Sequence, residues 1–165
     1  MIVGARRHKV TALAVLLGGL VLAGQTAGAR AEGPFPRLAG SWSGNGQVVV
    51  DQGKREQISC RAYYTAKSAG ADLALAIRCA SSSYKIEMRA TLSQQNGQVT
   101  GQWEERTFNA AGAVSGRATD SSLNLAISGA VSGTMSVTSS EASQRIEIKT
   151  VGSGLSGVTI SLARS

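Results

Sequence analysis

Histidine occurs once in this chain, at His8, and cysteine and proline only twice each, at Cys60, Cys79, Pro34 and Pro36. If the segment holding His8 is removed, Ser-His-Asp and Cys-His catalysis and histidine-ligated zinc or haem are excluded for want of an imidazole. Aromatic residues make up 4% and charged residues 16% of the 165 positions. That composition suits one ordinary domain and is not biased enough for disorder or collagen. The longest apolar run, Val10 to Ala23, is about 14 residues, short of the ~20 that span a bilayer as a helix. No transmembrane anchor is expected.

What the first thirty residues do contain is an export pattern. Arg6, Arg7, His8 and Lys9 form a basic head, the apolar run follows, and Ala27-Gly28-Ala29-Arg30-Ala31 ends it with small residues suited to a signal protease. Cleavage is expected after Ala31, with Ala29 the alternative, which makes residues 1–31 a signal peptide and places the product in the periplasm or outside the cell. Four of the seventeen basic residues leave with it and all ten acids stay, so thirteen face ten and the net charge falls from +7 to +3. The remaining cations are dispersed, and no nucleic-acid partner is expected. In an oxidising compartment Cys60 and Cys79 should pair. A redox dithiol normally wants two residues between its cysteines, and here there are eighteen.

From Leu38 onward the apolar period is two. Ile58, Cys60, Ala62 and Tyr64 alternate with polar residues, as do Leu73, Leu75, Ile77 and Cys79, then Tyr84, Ile86, Met88, Ala90 and Leu92. Further alternations run through Val99–Glu105, Leu123–Ile127, Val131–Val137, Ile146–Ile148 and Val158–Leu162. Turns are expected at Asp51-Gln52-Gly53, Asn96-Gly97, Ala110-Ala111-Gly112, Ser128-Gly129 and Gly152-Ser153-Gly154, with Asn96-Gly97 the strongest hairpin signal. No helical stripe competes. The pattern predicts an all-β fold: an antiparallel up-and-down meander of nine or ten strands, closed or nearly closed into a barrel over residues 38–165. Residues 32–37 form an extended lead-in.

Three residues on the inward phase break the apolar rule. Trp42 lies on the first strand, Glu105 follows Trp103 on the fifth, and Arg164 ends the last. If the sheet closes, Arg164 can sit over the Trp42 ring; otherwise it lies in solvent at the terminus. Glu104 and Glu105 point to opposite faces of a regular strand, so a carboxylate pair for glycoside chemistry would need a second acid such as Glu87 or Asp120. Glu105 should either pair with an inward arginine or lie near a barrel mouth. Tyr64 and Tyr84 are on the core phase. Lys85, Arg89 and Arg106 read as surface charge interspersed with Glu87 and Glu104.

Leu38-Ala39-Gly40-Ser41-Trp42 at the start and Arg164 at the end resemble the Gly-x-Trp and closing-arginine features of the calycins, lipocalins and their relatives. That resemblance implies a barrel with a cup for an apolar ligand. The chain is also similar to the periplasmic inhibitors of secreted metalloproteases, through Ala39-Gly40-Ser41-Trp42, Cys60 with Cys79, and the closing Val158–Arg164. In that family the N-terminal segment enters the protease cleft, which by position would be residues 32–37. The function expected is a non-enzymatic exported protein that holds a small apolar or amphipathic, lipid-like molecule. Trp42, Tyr64, Met88, Trp103, Glu105 and Arg164 are the candidate ligand contacts, and no cofactor or metal is expected. The alternative is a protease inhibitor or an interaction module of the cell envelope.

Overall fold

The computed structural model describes residues 33–152 and 154–165; the expected signal peptide lies outside them. Ten strands occur among the described residues. They are β1 (Gly40–Val50), β2 (Arg55–Lys67), β3 (Asp72–Ala80), β4 (Lys85–Gln95), β5 (Gln98–Glu105), β6 (Ala110–Ala118), β7 (Ser122–Gly129), β8 (Ser132–Ser139), β9 (Ser143–Val151) and β10 (Leu155–Arg164). Each pairs antiparallel with the next, and β1 pairs with β10, so the sheet closes as a barrel. Closure leaves no edge strand exposed.

Alternation sets the two faces of the wall. On β2, Ile58, Cys60, Ala62 and Tyr64 are buried while Gln57, Ser59, Arg61 and Tyr63 are exposed. The inward side is apolar and the outward side polar, the reverse of a barrel that faces lipid hydrocarbon. Cys60 and Cys79 stand directly opposite on β2 and β3, with Cα atoms 4.1 Å apart, and form a disulfide on the inward face. For a loop of this length, cross-linking contributes on the order of 3 kcal/mol by constraining the unfolded chain.

The hairpin at Asn96-Gly97 carries positive φ at both residues, +51° and +75°, as a primed turn needs. Elsewhere the expected turns shift. Ala110–Gly112 begin β6, and the β5–β6 turn is Arg106-Thr107-Phe108-Asn109, whose Asn109 takes the left-handed conformation (φ +53°). Ser128-Gly129 likewise belongs to β7, and the chain turns at Ala130-Val131. Tyr84 is no core residue: it lies in the β3–β4 turn, 43% exposed.

The lead-in differs most. Its described part is not extended, because Phe35–Leu38 form a single helical turn, α1, begun by Pro34. Proline suits the start of a helix, where no N–H is needed. Phe35 and Leu38 are buried at 0% and 1% exposure, which gives a turn too short to persist alone its stability through packing.

Candidate functional site

The two ends of the barrel differ. One carries α1, the end of β10 and the turns β2–β3, β4–β5, β6–β7 and β8–β9; the other carries the remaining turns. At the first end Phe35, Leu38, Trp42, Leu73, Leu92 and Val99 are all 0–1% exposed. That end is filled.

Trp42 and Arg164 hold it shut. The indole Nε1 donates to the Leu38 carbonyl at 2.7 Å, fixing α1 over the barrel. In the β1–β10 register Trp42 faces Arg164, whose guanidinium lies 4.2 Å from the ring centroid. The same guanidinium donates to three carbonyls: Nη2 to Arg37 at 2.7 Å, Nη1 to Ala39 at 2.8 Å and Nε to Glu141 at 2.8 Å. One side chain thus ties the last strand to the helical turn, to the residue that leads from it into the first strand, and to the β8–β9 turn. Gly40 between them has φ +123°, and a Cβ there would come within 2.8 Å of Nη1. Of the two dispositions open to Arg164, the structure adopts the stacked one, although the side chain keeps its outer side in solvent.

At the second end Val48, Ile58, Cys60 and Cys79 on β1–β3 are buried, but the inward apolar residues on the other side of the wall are only half-buried. Ile86 and Met88 on β4, Trp103 on β5, Ile127 on β7, Met135 on β8 and Ile148 on β9 pack against the core and retain contact with solvent. These six side chains make a half-buried apolar cluster, and the end that carries them is termed the mouth. Trp103 is positioned by a gap opposite it: its partner on β6 is Gly112, and across that residue the indole Nε1 reaches the Ser128 carbonyl on β7 at 3.3 Å. A Cβ at Gly112 would meet the Ser128 carbonyl and come within 2.8 Å of Nε1, so only glycine lets the indole lie there.

Glu105 lies at this end, opposite Met88, with no arginine partner. Its Oε1 accepts from the backbone N–H of Glu87 at 2.8 Å and of Thr107 at 3.1 Å, and its Oε2 from Phe108 N–H at 2.7 Å. Partial burial alone would raise its pKa, but these N–H groups outweigh it and hold the carboxyl below the usual value. The carboxylate therefore organises the β5–β6 turn. Glu87 points to the outer face, where Arg89 (3.2 Å), Arg78 (3.4 Å) and Arg106 (3.6 Å) surround one oxygen. The two acids occupy opposite sides of the wall. Among the described residues, no group of three or more His, Cys, Asp or Glu side chains comes together as a metal site.

The six candidate contacts thus separate. Met88, Trp103 and Glu105 share the mouth. Trp42, Tyr64 and Arg164 belong to the filled end, where burial pushes the Tyr64 hydroxyl pKa up. Ile86, Ile127, Met135 and Ile148 complete the mouth and were not candidates: their inward phase was readable, their place at an open end was not. Two inward polar residues also escaped notice. Glu56 on β2, in phase with Ile58, has a buried Oε2 with no hydrogen-bond partner in the protein. The second lies on β9. Gln144, 2% exposed and opposite Leu162 and Ser139, has neither amide atom hydrogen-bonded within the protein.

No family model and no curated protein matches the chain. Among solved structures it is similar to an S-type phycobiliprotein lyase, CPES, from Guillardia theta, at 13% identity and a TM-score of 0.53, over 79% of this chain and 90% of that one. At that identity the likeness concerns the fold alone.

Proposed function

We propose that this chain is an exported, non-enzymatic binding protein that holds a small apolar or amphipathic molecule in the open half of a calycin-like barrel. The observation that carries this reading is the unequal packing of the inward face: 0–1% exposure around Trp42 and Phe35, half-burial around Met88, Trp103 and Ile127. Apolar side chains left half-wet inside a closed wall gain free energy when a ligand covers them, at about 25 cal/mol per Å². Ligand sites of this kind are concave and mostly apolar with few polar groups. The disulfide and the leader-like N-terminus suit an oxidising compartment. The inhibitor alternative draws less support, because Phe35 and Leu38 are packed into the barrel and not presented to a protease.

The test is titration with the uncharged fluorophore N-phenyl-1-naphthylamine. Saturable one-to-one binding is expected, with quenching of Trp103 emission. Ile127→Glu or Met88→Glu should abolish it while far-UV circular dichroism stays unchanged, and Arg117→Glu on the outer wall should leave it intact. Absence of saturable binding, or binding indifferent to Ile127 and Met88, refutes the reading.

A further inference from the structure

The turns at the two ends of the barrel are built from different chemistry. Those at the filled end, Ser68-Ala69-Gly70, Asn96-Gly97, Thr119-Asp120-Ser121 and Ser140-Glu141-Ala142, carry no large apolar side chain. At the mouth end Phe108 (63%) and Tyr84 (43%) are exposed on turns and Val151 (77%) at the last residue of β9. The other exposed large apolar residue among the described residues, Tyr63 (49%), lies on the outer wall of β2 and not at a tip. Val151, Phe108 and Tyr84 are spread around the mouth, at the β9–β10, β5–β6 and β3–β4 corners. An exposed phenylalanine held on a turn by the Glu105 carboxylate is an arranged protrusion, not a frayed end.

Cations accompany these tips. Lys54 and Arg55 follow the β1–β2 turn, Lys85 follows Tyr84, and Lys149 lies two residues before Val151; none has an ion pair among the described residues. The acids nearby are engaged. Glu56 accepts from Ser82 at 2.8 Å, Glu87 is surrounded by three arginines, and Glu105 is taken up by backbone N–H groups. Glu104 is directly opposite Arg89 on the outer wall. Lys54, Arg55, Arg78, Lys85, Arg89, Arg106 and Lys149 outnumber Asp51, Glu56, Glu87, Glu104 and Glu105, so the mouth end carries a net positive charge at the same level as its apolar tips.

We infer that the mouth end docks on the surface of an anionic phospholipid bilayer, with Phe108, Tyr84 and Val151 entering the headgroup region and Lys54, Arg55, Lys85 and Lys149 meeting lipid phosphates. Aromatic and aliphatic tips beside lysine and arginine are the pairing that interfacial binding uses, apolar burial adding to attraction by anionic headgroups. The filled end, of similar basicity but without such tips, lacks the apolar half of that pairing. The inference goes beyond the cup reading and rests on it only in taking the open end as the ligand's entrance. Docking there would set the apolar mouth against the lipid from which an apolar ligand comes.

The test is co-sedimentation of the full protein with vesicles of phosphatidylcholine, with and without phosphatidylglycerol. Binding is expected on the phosphatidylglycerol vesicles and should weaken with salt. Phe108→Ser should lower the partition about tenfold, the loss of one buried aromatic group. Lys54→Glu with Lys85→Glu should lower it at least about twenty-fivefold, at roughly fivefold for each cation removed. Lys67→Glu with Arg117→Glu, the same charge change at the filled end, should have under a third of that effect. In the unmodified protein, brominated phosphatidylglycerol should quench Trp103 and spare Trp42, a readout independent of any variant's folding.

No binding to either vesicle overturns the inference. So does equal loss from the filled-end pair, or partition indifferent to Phe108, which would describe adsorption of a cation to any polyanion. Because vesicle docking is read without a bound fluorophore, its failure leaves the cup reading intact, and failure of fluorophore binding leaves the docking result to stand alone.

Discussion

Arg164→Ala should cost this barrel about 3.5–4 kcal/mol, and the figure follows from what the side chain touches. Its three hydrogen bonds, at 2.7, 2.8 and 2.8 Å, join a charged donor to backbone carbonyls. Near the surface such bonds are worth ~1 kcal/mol each, because water takes up the carbonyls once the guanidinium is gone. The guanidinium lies 4.2 Å from the Trp42 centroid, which adds ~0.5–1 kcal/mol. Against a total stability of ~5–15 kcal/mol the loss is large, and for a domain of this size it lowers Tm by roughly 10 °C. Arg164→Lys separates the parts. A lysine keeps a cation over the ring but cannot fork to three carbonyls, so it should restore less than half of the loss.

The assay is urea unfolding followed by far-UV circular dichroism, read as a change in midpoint at constant slope. Gly40→Ala completes a double-mutant cycle. Alone it suffers both the positive φ and the clash with Nη1; in the Arg164→Ala background only the φ strain remains, so its cost should fall. If Arg164→Ala costs under about 0.5 kcal/mol, or if lysine serves as well as arginine, the clasp does not hold the barrel and the reasoning fails.

Two more outcomes are expected alongside the fluorophore and vesicle tests. Glu105→Gln should destabilise by ~1–2 kcal/mol at neutral pH, since the carboxylate accepts from three N–H groups and an amide would turn a donor toward one of them. Its folded pKa is depressed, so its contribution is complete above the unfolded value of ~4.3 and disappears as the pH falls through the lower folded value. Wild type should therefore show a steeper acid limb than the variant in pH-dependent denaturation, and equal limbs would contradict this assignment. Gln144→Met should stabilise by ~1 kcal/mol in thermal denaturation, because methionine fills a similar volume without two buried, unbonded polar atoms; a loss of stability would show that the amide has a partner.

How much was legible before the coordinates depended on how local each cause is. Side-chain alternation is a property of consecutive residues, so the strands around Ile58–Tyr64, Leu73–Cys79 and Ile86–Leu92, and the facing cysteines, could be read directly. Asn96-Gly97 carries its turn geometry in two residues. The meeting of Trp42 and Arg164 was legible as one of two options because closure of a meander must bring the first and last strands together. The four residues of α1 show no period, and packing of Phe35 and Leu38 decides them. At Arg106–Asn109 the turn is made by a left-handed asparagine and the Glu105 carboxylate, a weaker signal than the Ala-Ala-Gly that follows. Which end of the barrel is open has no local cause at all.

That last point bears on the site. An inward residue such as Ile127 has the same alternation and side-chain type whether it fills a core or lines a mouth. The difference lies in what caps the barrel above it. Here α1, Trp42 and Arg164 cap one end, so residues such as Leu92 and Val99 are sealed beneath them, while nothing described covers Met88, Trp103 and Met135. Moving the cap would exchange the roles of the two ends without altering a single strand. A binding residue in such a barrel is thus defined by its distance from the plug as much as by its own chemistry. The clasp and the mouth are therefore coupled through one rigid wall. Loosening the plug by Arg164→Ala should open a second wet apolar surface around Trp42, and Trp42 emission, measured with Trp103→Phe, should shift to the red.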